Sequence, residues 1–136
     1  MTSTTRSEGL SHVAMSVALG TLTPRFRADV LAFYGRHFGW TEIESLRQPD
    51  RMTLAVGGRD YVNIRERPDP MTSSGYEHVG LLLATPEAVE DAWSELDRAD
   101  EDVHLEELQR GGNGYRSFRF RHLLPLTVEV QHLPWP

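Results

Sequence analysis

The sequence contains no cysteine, which excludes disulfide bridges, thiolate zinc sites, iron–sulfur clusters and a cysteine nucleophile. Any metal site must therefore be built from histidine, carboxylate and amide groups. Basic residues are in the minority, with 14 Lys and Arg against 20 Asp and Glu and a formal net charge of −6. This balance argues against a nucleic-acid partner, which selects a clustered basic face. Long apolar runs are also absent, and none approaches the roughly 20 residues that cross a bilayer.

The length and the first residues set the expected class of protein. A chain of 136 residues can bury roughly two thirds of its unfolded surface, enough for one structural domain or two small packed modules. The segment MTSTTRSEG at the start has no apolar core of the kind that marks a secretory signal. We therefore expect residues 1–9 to form a disordered tail and the protein to be soluble and cytoplasmic.

The most informative pattern is an internal repeat. A His-Val pair that opens an apolar segment occurs at His12 and again at His78, a spacing of 66 residues (78 − 12 = 66). The same spacing relates residues 60–67 to residues 126–133. Agreement at both ends of each unit indicates duplication of a unit of about 60 residues, a period typical of repeated supersecondary units.

Each repeat shows the same order of elements. A strand comes first, and a Thr-Pro pair beginning at Thr23 or Thr85 then supplies an N-cap and a proline at the first helical position. Three shorter strands close each unit, and we predict them at residues 42–47, 52–56, 61–65, 104–109, 116–121 and 127–131. The fold class is therefore α+β, with two tandem βαβββ modules forming a curved mixed sheet around a cleft and the helices on its outer face. The modules span residues 10–67 and 76–136, joined by a linker at 68–75.

Alternation along the strands assigns each side chain to a face of the sheet. The apolar set must lie beneath the helices, and we expect burial there of Val13, Met15, Val62, Ile64, Val79, Leu81, Val128 and Val130. The opposite face then carries His12, Asn63, His78 and Glu129, at equivalent positions of the two repeats. A curved sheet can bring these four side chains into one cavity.

Further polar side chains share this face and are candidates for a substrate pocket: Tyr61, Arg65, Arg119, Arg121 and Gln131. The arginines can clamp a carboxylate or phosphate, or lie on the exposed rim of the sheet. An unpaired carboxylate facing a closed cavity is costly. Glu129 is therefore expected to ligate a metal, to lie exposed, or to pair with Arg65 or Arg121.

The repeat and the His-Asn-His-Glu set resemble the vicinal oxygen chelate superfamily, which includes glyoxalase I, methylmalonyl-CoA epimerase, extradiol dioxygenases, and fosfomycin- and bleomycin-resistance proteins. The resemblance covers residues 10–133, and FYGRHFGW at 33–40 is similar to the aromatic helix end of that family. It implies one divalent metal held by His12, His78 and Glu129, with Asn63 at the fourth ligand position. Fe, Mn, Zn, Co and Ni all suit such donors. Asn63 can ligate through its amide oxygen or hydrogen-bond a bound water.

The resemblance implies a metal-dependent lyase, isomerase, epimerase or dioxygenase that acts on a small oxygen-chelating metabolite. In such enzymes the metal chelates substrate oxygens and stabilises an enolate or alkoxide, and Glu129 would be the catalytic carboxylate. The alternative is a metal-free protein that sequesters a small molecule or antibiotic, as bleomycin-resistance proteins do. Either function takes a small-molecule partner, and outer strands that need cover predict a homodimer, with the modules pairing within or between chains.

Overall fold

A computed structural model of the chain describes residues 5–99 and 101–135. Residues 1–4 of the predicted tail lie outside this part of the chain. The chain divides into two compact units, of which the first ends at Pro70 and the second begins at Met71. We call them unit 1 and unit 2. No helix in the described residues is long and apolar enough to cross a membrane.

Unit 1 is a four-stranded mixed sheet with one long helix. Its elements in chain order are β1 (His12–Ala18), α1 (Pro24–Phe38), β2 (Thr41–Glu42), a 3₁₀ turn (Glu44–Leu46), β3 (Arg51–Gly57) and β4 (Asp60–Arg67). The strands lie in the order β1-β4-β3-β2, and β1 runs parallel to β4 while the other pairs are antiparallel. This is the predicted βαβββ arrangement.

The ends of α1 follow from local chemistry. The Thr23 hydroxyl accepts a hydrogen bond from the Phe26 amide at 3.1 Å, which satisfies a backbone donor that the first turn leaves open. At the other end Gly39 adopts φ 74°, a left-handed conformation that glycine adopts without strain. Trp40 then stacks on the buried Tyr34 ring with 4.6 Å between centroids, so the aromatic helix end is part of the core.

Unit 2 repeats this arrangement with one additional short strand. Its elements are β5 (His78–Leu82), α2 (Pro86–Arg98), β6 (His104–Leu105), β7 (Gln109–Arg110), a 3₁₀ turn (Gly112–Gly114), β8 (Arg116–Arg121) and β9 (Thr127–His132). The strand order is β5-β9-β8-β6, β7 also pairs with β8, and β5 runs parallel to β9. Thr85 caps α2 as Thr23 caps α1.

The sequence repeat is a structural repeat with the same strand register. Ala14 lies opposite Asn63 in unit 1, and Gly80 lies opposite Glu129 in unit 2. Each residue of the second pair follows its counterpart by the 66 positions found in the sequence. The α+β class and the two βαβββ modules are therefore confirmed, while a cleft between the modules stays a prediction.

Two predicted strands are wrong in extent. In place of a strand over 42–47, β2 covers Thr41–Glu42 and a 3₁₀ turn follows at Glu44–Leu46, from which the Arg47 guanidinium turns back to bind the Glu42 carboxylate. This hydrogen bond also raises the pKa of Arg47. In place of a strand over 104–109, β6 and β7 are separate, and the Trp93 indole N–H donates to the Glu106 carbonyl at 2.9 Å. That carbonyl is therefore bound by a side chain at the point where the predicted strand is interrupted.

The predicted core is confirmed for the inner strands and only partly for the edges. Five of the eight predicted residues are buried: Met15, Val62, Ile64, Val128 and Val130. The other three, Val13, Val79 and Leu81, are half-buried. They belong to β1 and β5, which stand at one edge of their respective sheets and have a hydrogen-bonded neighbour on one side within their unit.

Arg27 of α1 fixes the connection between β2 and β3. Its guanidinium donates to four backbone carbonyls, those of Leu22 at 3.1 Å, Gln48 at 2.6 Å, Pro49 at 3.2 Å and Arg51 at 3.3 Å. Two of these carbonyls, those of Gln48 and Pro49, lie in the connection itself and obtain hydrogen-bond partners from this one planar side chain.

Candidate functional site

The Glu129 carboxylate is the centre of a polar cluster in unit 2. The side chain is 12 % exposed, and it projects from β9 between the fully buried Val128 and Val130. Its Oε2 accepts a hydrogen bond from the Ser117 hydroxyl at 2.6 Å, and its Oε1 accepts one from Arg119 Nε at 3.2 Å. The third neighbour, His78 Nε2, lies 3.1 Å from the same Oε1.

Strand register explains why these side chains meet. Arg119 on β8 lies directly opposite Glu129 on β9, and Ser117 is two residues away on the same face. On the other side of β9, Gly80 is opposite Glu129. His78 precedes Gly80 by two residues and therefore shares its face, and Gly80 has no side chain to separate the imidazole from the carboxylate.

His78 is held in one tautomer by its own backbone neighbourhood. Its Nδ1 lies 2.6 Å from the Tyr76 carbonyl oxygen, and because a carbonyl only accepts, Nδ1 must carry the proton. The neutral imidazole then presents a bare lone pair at Nε2. That lone pair faces Glu129 Oε1, which is also an acceptor. Two acceptor atoms at this distance repel each other unless a proton or a bound cation lies between them.

The Tyr76 ring completes this group. It meets the His78 imidazole edge-on at 5.8 Å between centroids, and the guanidinium carbon of Arg119 lies 5.9 Å from the centre of the Tyr76 ring. The ring is nevertheless 74 % exposed. We call Tyr76, His78, Ser117, Arg119 and Glu129 the Glu129 cluster.

Unit 1 carries a neutral version of the same arrangement. His12 bonds the Ser11 hydroxyl through Nδ1 at 2.8 Å and stacks flat on Tyr61, with 4.6 Å between the centroids and 4° between the ring planes. At the position equivalent to Glu129, the Asn63 amide oxygen accepts from the Thr53 hydroxyl at 3.3 Å. His12 and Asn63 thus occupy the predicted positions with well-defined partners.

The other predicted pocket residues have different surroundings. Arg65 is exposed, and its Nε lies 3.8 Å from the Asp50 carboxylate. Arg121 donates to the Pro125 carbonyl, and the arginine of β8 that pairs with Glu129 is Arg119. Of the alternatives considered for Glu129, the pairing with Arg121 is therefore wrong. Gln131 lies beside Gly80, and a Cβ atom at position 80 would be 3.5 Å from the side-chain amide nitrogen of Gln131.

The sequence interpretation identified His78, Arg119 and Glu129 but missed Ser117 and Tyr76. Ser117 stands in phase with Arg119, so the alternation of β8 carried a signal for it. Tyr76 acts through its carbonyl oxygen, which no side-chain pattern reveals. Within unit 2, the described residues add no third His, Asp or Glu side chain to the His78–Glu129 pair in a metal-binding arrangement.

Comparison with known proteins gives the fold its context. No protein-family model matches the sequence, and no curated protein matches it. Among solved structures, the chain is similar to lactoylglutathione lyase from Agrobacterium tumefaciens, with 17% identity and a TM-score of 0.67 over 93% of this chain and 94% of that one. It is also similar to the fosfomycin resistance protein FosX from Listeria monocytogenes in complex with Mn(II) and sulfate, with 19% identity and a TM-score of 0.68 over 93% and 91%.

A third similar structure is a glyoxalase/bleomycin resistance protein/dioxygenase family enzyme from Burkholderia phytofirmans PsJN, with 18% identity and a TM-score of 0.66 over 90% of this chain and 96% of that one. All three alignments extend over nearly the whole of both chains, so they compare both βαβββ modules together. At this level of identity the likeness establishes the fold. The chain has the fold of the vicinal oxygen chelate superfamily.

Proposed function

We propose that this protein is a metal-dependent lyase, isomerase, epimerase or oxygenase acting on a small oxygen-chelating metabolite, with His12, His78 and Glu129 as metal ligands. The observation that supports the proposal is the contact between His78 Nε2 and Glu129 Oε1 at 3.1 Å. Both atoms are acceptors when the imidazole is neutral, because Nδ1 donates to the Tyr76 carbonyl. A divalent cation held by His78 and Glu129 would resolve this conflict.

The geometry of this pair fits a metal ion. Nitrogen and oxygen ligands bind zinc at about 2.0–2.2 Å, so two ligand atoms of one ion lie at most about 4.4 Å apart. The observed separation of 3.1 Å is within that limit. The Nδ1–H bond to a backbone carbonyl is also the outer hydrogen bond that fixes most metal-ligating histidines. Imidazole and carboxylate donors suit Fe, Mn, Zn, Co or Ni.

His12 is the third proposed ligand, at the position of unit 1 equivalent to His78. Tyr61 fixes the plane of its ring and Ser11 engages Nδ1, which makes Nε2 the nitrogen available for ligation. For Asn63 we propose the hydrogen-bonding role. Its amide oxygen accepts from Thr53, so its NH₂ group is the part that can donate to a bound water or substrate oxygen.

A divalent metal in such a site supplies Lewis acidity toward substrate oxygens. The residues of this chain would then orient the reacting groups. Ser117 fixes Oε2 of Glu129, so Oε1 is the oxygen directed at His78. Glu129 is the one carboxylate of the cluster, and we propose that it takes up the proton that a substrate releases on isomerisation or epimerisation.

Sequestration without metal is the second candidate, and one observation favours it. Glu129 already has Ser117 and Arg119 as donors, and the Arg119 guanidinium balances its negative charge. The cluster is therefore chemically consistent without a cation. A protein of this kind would hold a drug or metabolite in its pocket without converting it.

Calorimetric titration of chelator-treated protein with Mn(II), Zn(II), Ni(II), Co(II) and, without oxygen, Fe(II) at pH 7.5 tests the proposal. We expect saturable binding tighter than about 100 μM for at least one ion. His12→Ala and His78→Ala should each abolish it without unfolding the chain, since neither side chain belongs to the core. His104→Ala, which removes an exposed histidine of β6, is the matched control. Absence of saturable binding by all five ions would reject the metalloenzyme and favour sequestration.

We also propose that the protein is a homodimer, because β1 and β5 stand at sheet edges within their units. Light scattering at micromolar concentration should show a species of twice 15.4 kDa. A species at 15.4 kDa alone would contradict the dimer.

A further inference from the structure

The Arg119 guanidinium has hydrogen-bonding capacity that the described residues do not use. Its Nε donates to Glu129 Oε1, and its planar head lies near the Tyr76 ring. Within the described part of the chain, its two terminal nitrogens make no hydrogen bond or ion pair. The side chain is 31 % exposed, so these terminal N–H groups can be reached by a molecule in solution.

The other arginines of this sheet are engaged through their terminal nitrogens. Arg110 donates from Nη2 to the Glu90 carboxylate at 2.8 Å, and Arg116 donates from Nη1 to the Tyr115 carbonyl at 2.9 Å. Arg121 donates from Nη2 to the Pro125 carbonyl. Arg119 therefore differs from its neighbours, because its Nε is hydrogen-bonded to Glu129 while its two terminal nitrogens remain available to a ligand.

We infer that Arg119 is the anion receptor of this site, and that the ligand is a small molecule whose oxyanion group is joined to an apolar or aromatic body. The inference rests on the proposed function and names the class of ligand. A guanidinium held at Nε presents its remaining edge to a carboxylate, sulfonate or phosphonate in the bidentate geometry that arginine favours. Arginine binds such groups without a change of protonation state.

The surface beside Arg119 is suited to the rest of such a ligand. The Tyr76 ring, 74 % exposed, lies within 5.9 Å of the guanidinium carbon. Leu82, which is also exposed, shares the face of β5 that carries His78, and Gly80 between them has no side chain. An apolar body can pack on this aromatic and aliphatic surface while its oxyanion binds Arg119.

Glu129 couples anion binding to cation binding. Its negative charge is adjacent to the same guanidinium and repels an incoming oxyanion, so anything that neutralises the carboxylate strengthens anion binding. A cation bound by His78 and Glu129 does this. By thermodynamic reciprocity the anion must then strengthen cation binding by the same factor.

Benzenesulfonate is the probe for this inference, because it is a monoanion with an aromatic ring and coordinates metals weakly. Its binding to the chelator-treated full chain is measured by NMR titration at pH 7.5 and low ionic strength, with methyl phenyl sulfone as the neutral control ligand. We expect saturable benzenesulfonate binding that Arg119→Met weakens at least tenfold, which is the loss of one charged bidentate contact. Arg119→Lys keeps the positive charge but lacks the two parallel N–H donors of the guanidinium, and it should give an intermediate loss of benzenesulfonate affinity.

Two further variants sharpen the test. Arg121→Met removes the same charge from the same strand and should change the affinity less than twofold. Glu129→Gln removes the repelling carboxylate and should strengthen binding at least about fivefold in the absence of metal. Melting curves of each variant establish that it is folded, and Arg119→Lys replaces Arg119→Met if the latter is not.

The outcomes separate this inference from the proposed function. Benzenesulfonate binding that depends on Arg119, in a protein that binds no divalent ion, would support the anion receptor and reject the metalloenzyme. Metal binding together with equal benzenesulfonate affinity in wild type and Arg119→Met would reject the anion receptor alone. Equal losses in Arg119→Met and Arg121→Met, binding of the sulfone as strong as that of the sulfonate, or no saturable binding by wild type up to about 20 mM would each overturn the inference.

Discussion

Replacing Ser117 by alanine isolates one hydrogen bond of the Glu129 cluster. The Ser117 hydroxyl donates to Oε2 of Glu129 at 2.6 Å, whereas Arg119 and His78 both approach Oε1. Among the described residues Ser117 is thus the donor that satisfies Oε2. Both residues are buried, with 4 % of the whole Ser117 residue and 9 % of the whole Glu129 residue exposed, so water has restricted access to the oxygen that the substitution leaves unpaired.

The expected loss can be worked from this geometry. A hydrogen bond to a charged group contributes about 1.5–3 kcal/mol, and stranding a buried acceptor removes most of that value. We take about 2 kcal/mol for Ser117→Ala, since Oε1 keeps its own partners. For 136 residues, an unfolding entropy of about 2.1 cal/mol/K per residue totals about 0.29 kcal/mol/K, so the melting temperature should fall by about 7 °C.

Circular dichroism melts in the presence of a chelator provide the measurement, because they exclude any contribution of metal. The matched control is Thr127→Val, which removes a hydroxyl from an equally buried residue of the neighbouring strand, at 4 % exposure, and should change the melting temperature by less than about 2 °C. A fall of less than 2 °C for Ser117→Ala, or an equal fall for both variants, would contradict the assignment of Oε2 to Ser117.

Three other perturbations test the description of the molecule. Arg27→Met should lower the free energy of unfolding by about 2–4 kcal/mol in urea titrations, and Arg27→Lys by nearly as much, because one ammonium cannot bind four carbonyls. Burial raises the pKa of Tyr34, so wild type should lose stability as pH rises above the ordinary tyrosine value of 10.0, and Tyr34→Phe should lose less between pH 9 and 11. The double variant Arg119→Thr/Glu129→Asn, which copies the neutral pair of unit 1, should lose benzenesulfonate binding and should lower the free energy of unfolding by no more than about 2 kcal/mol, the value of the Ser117 hydrogen bond that it also removes.

Much of the fold was predictable because it depends on short-range chemistry. Threonine followed by proline starts both helices, since a hydroxyl and a preset φ suit the first turn. The spacing of the two His-Val pairs gave the strand register, because a duplicated unit repeats its hydrogen-bond ladder. Alternation placed His78 and Glu129 on one face, and their contact at 3.1 Å agrees with it.

What the sequence left open depends on side-chain conformations and long-range contacts. Alternation put Arg119 and Arg121 on the same face, but only the folded structure shows that one reaches Glu129 and the other a turn carbonyl. The interruption between β6 and β7 coincides with a hydrogen bond from Trp93 on α2, a contact that no local pattern encodes. The turn before β9 holds Leu123 at φ 65°, a conformation unfavourable for leucine that no sequence rule would assign.

The comparison between the two units separates the requirements of the fold from those of the site. Thr53 and Asn63 are directly opposed in unit 1, and Arg119 and Glu129 are directly opposed in the same register of unit 2. A neutral pair is therefore sufficient for the sheet. Placing a carboxylate of 12 % exposure beside an arginine adds a desolvation cost that the neutral pair avoids. Since the fold does not require these charges, the proposed binding of a cation and an anion would give them a physical reason.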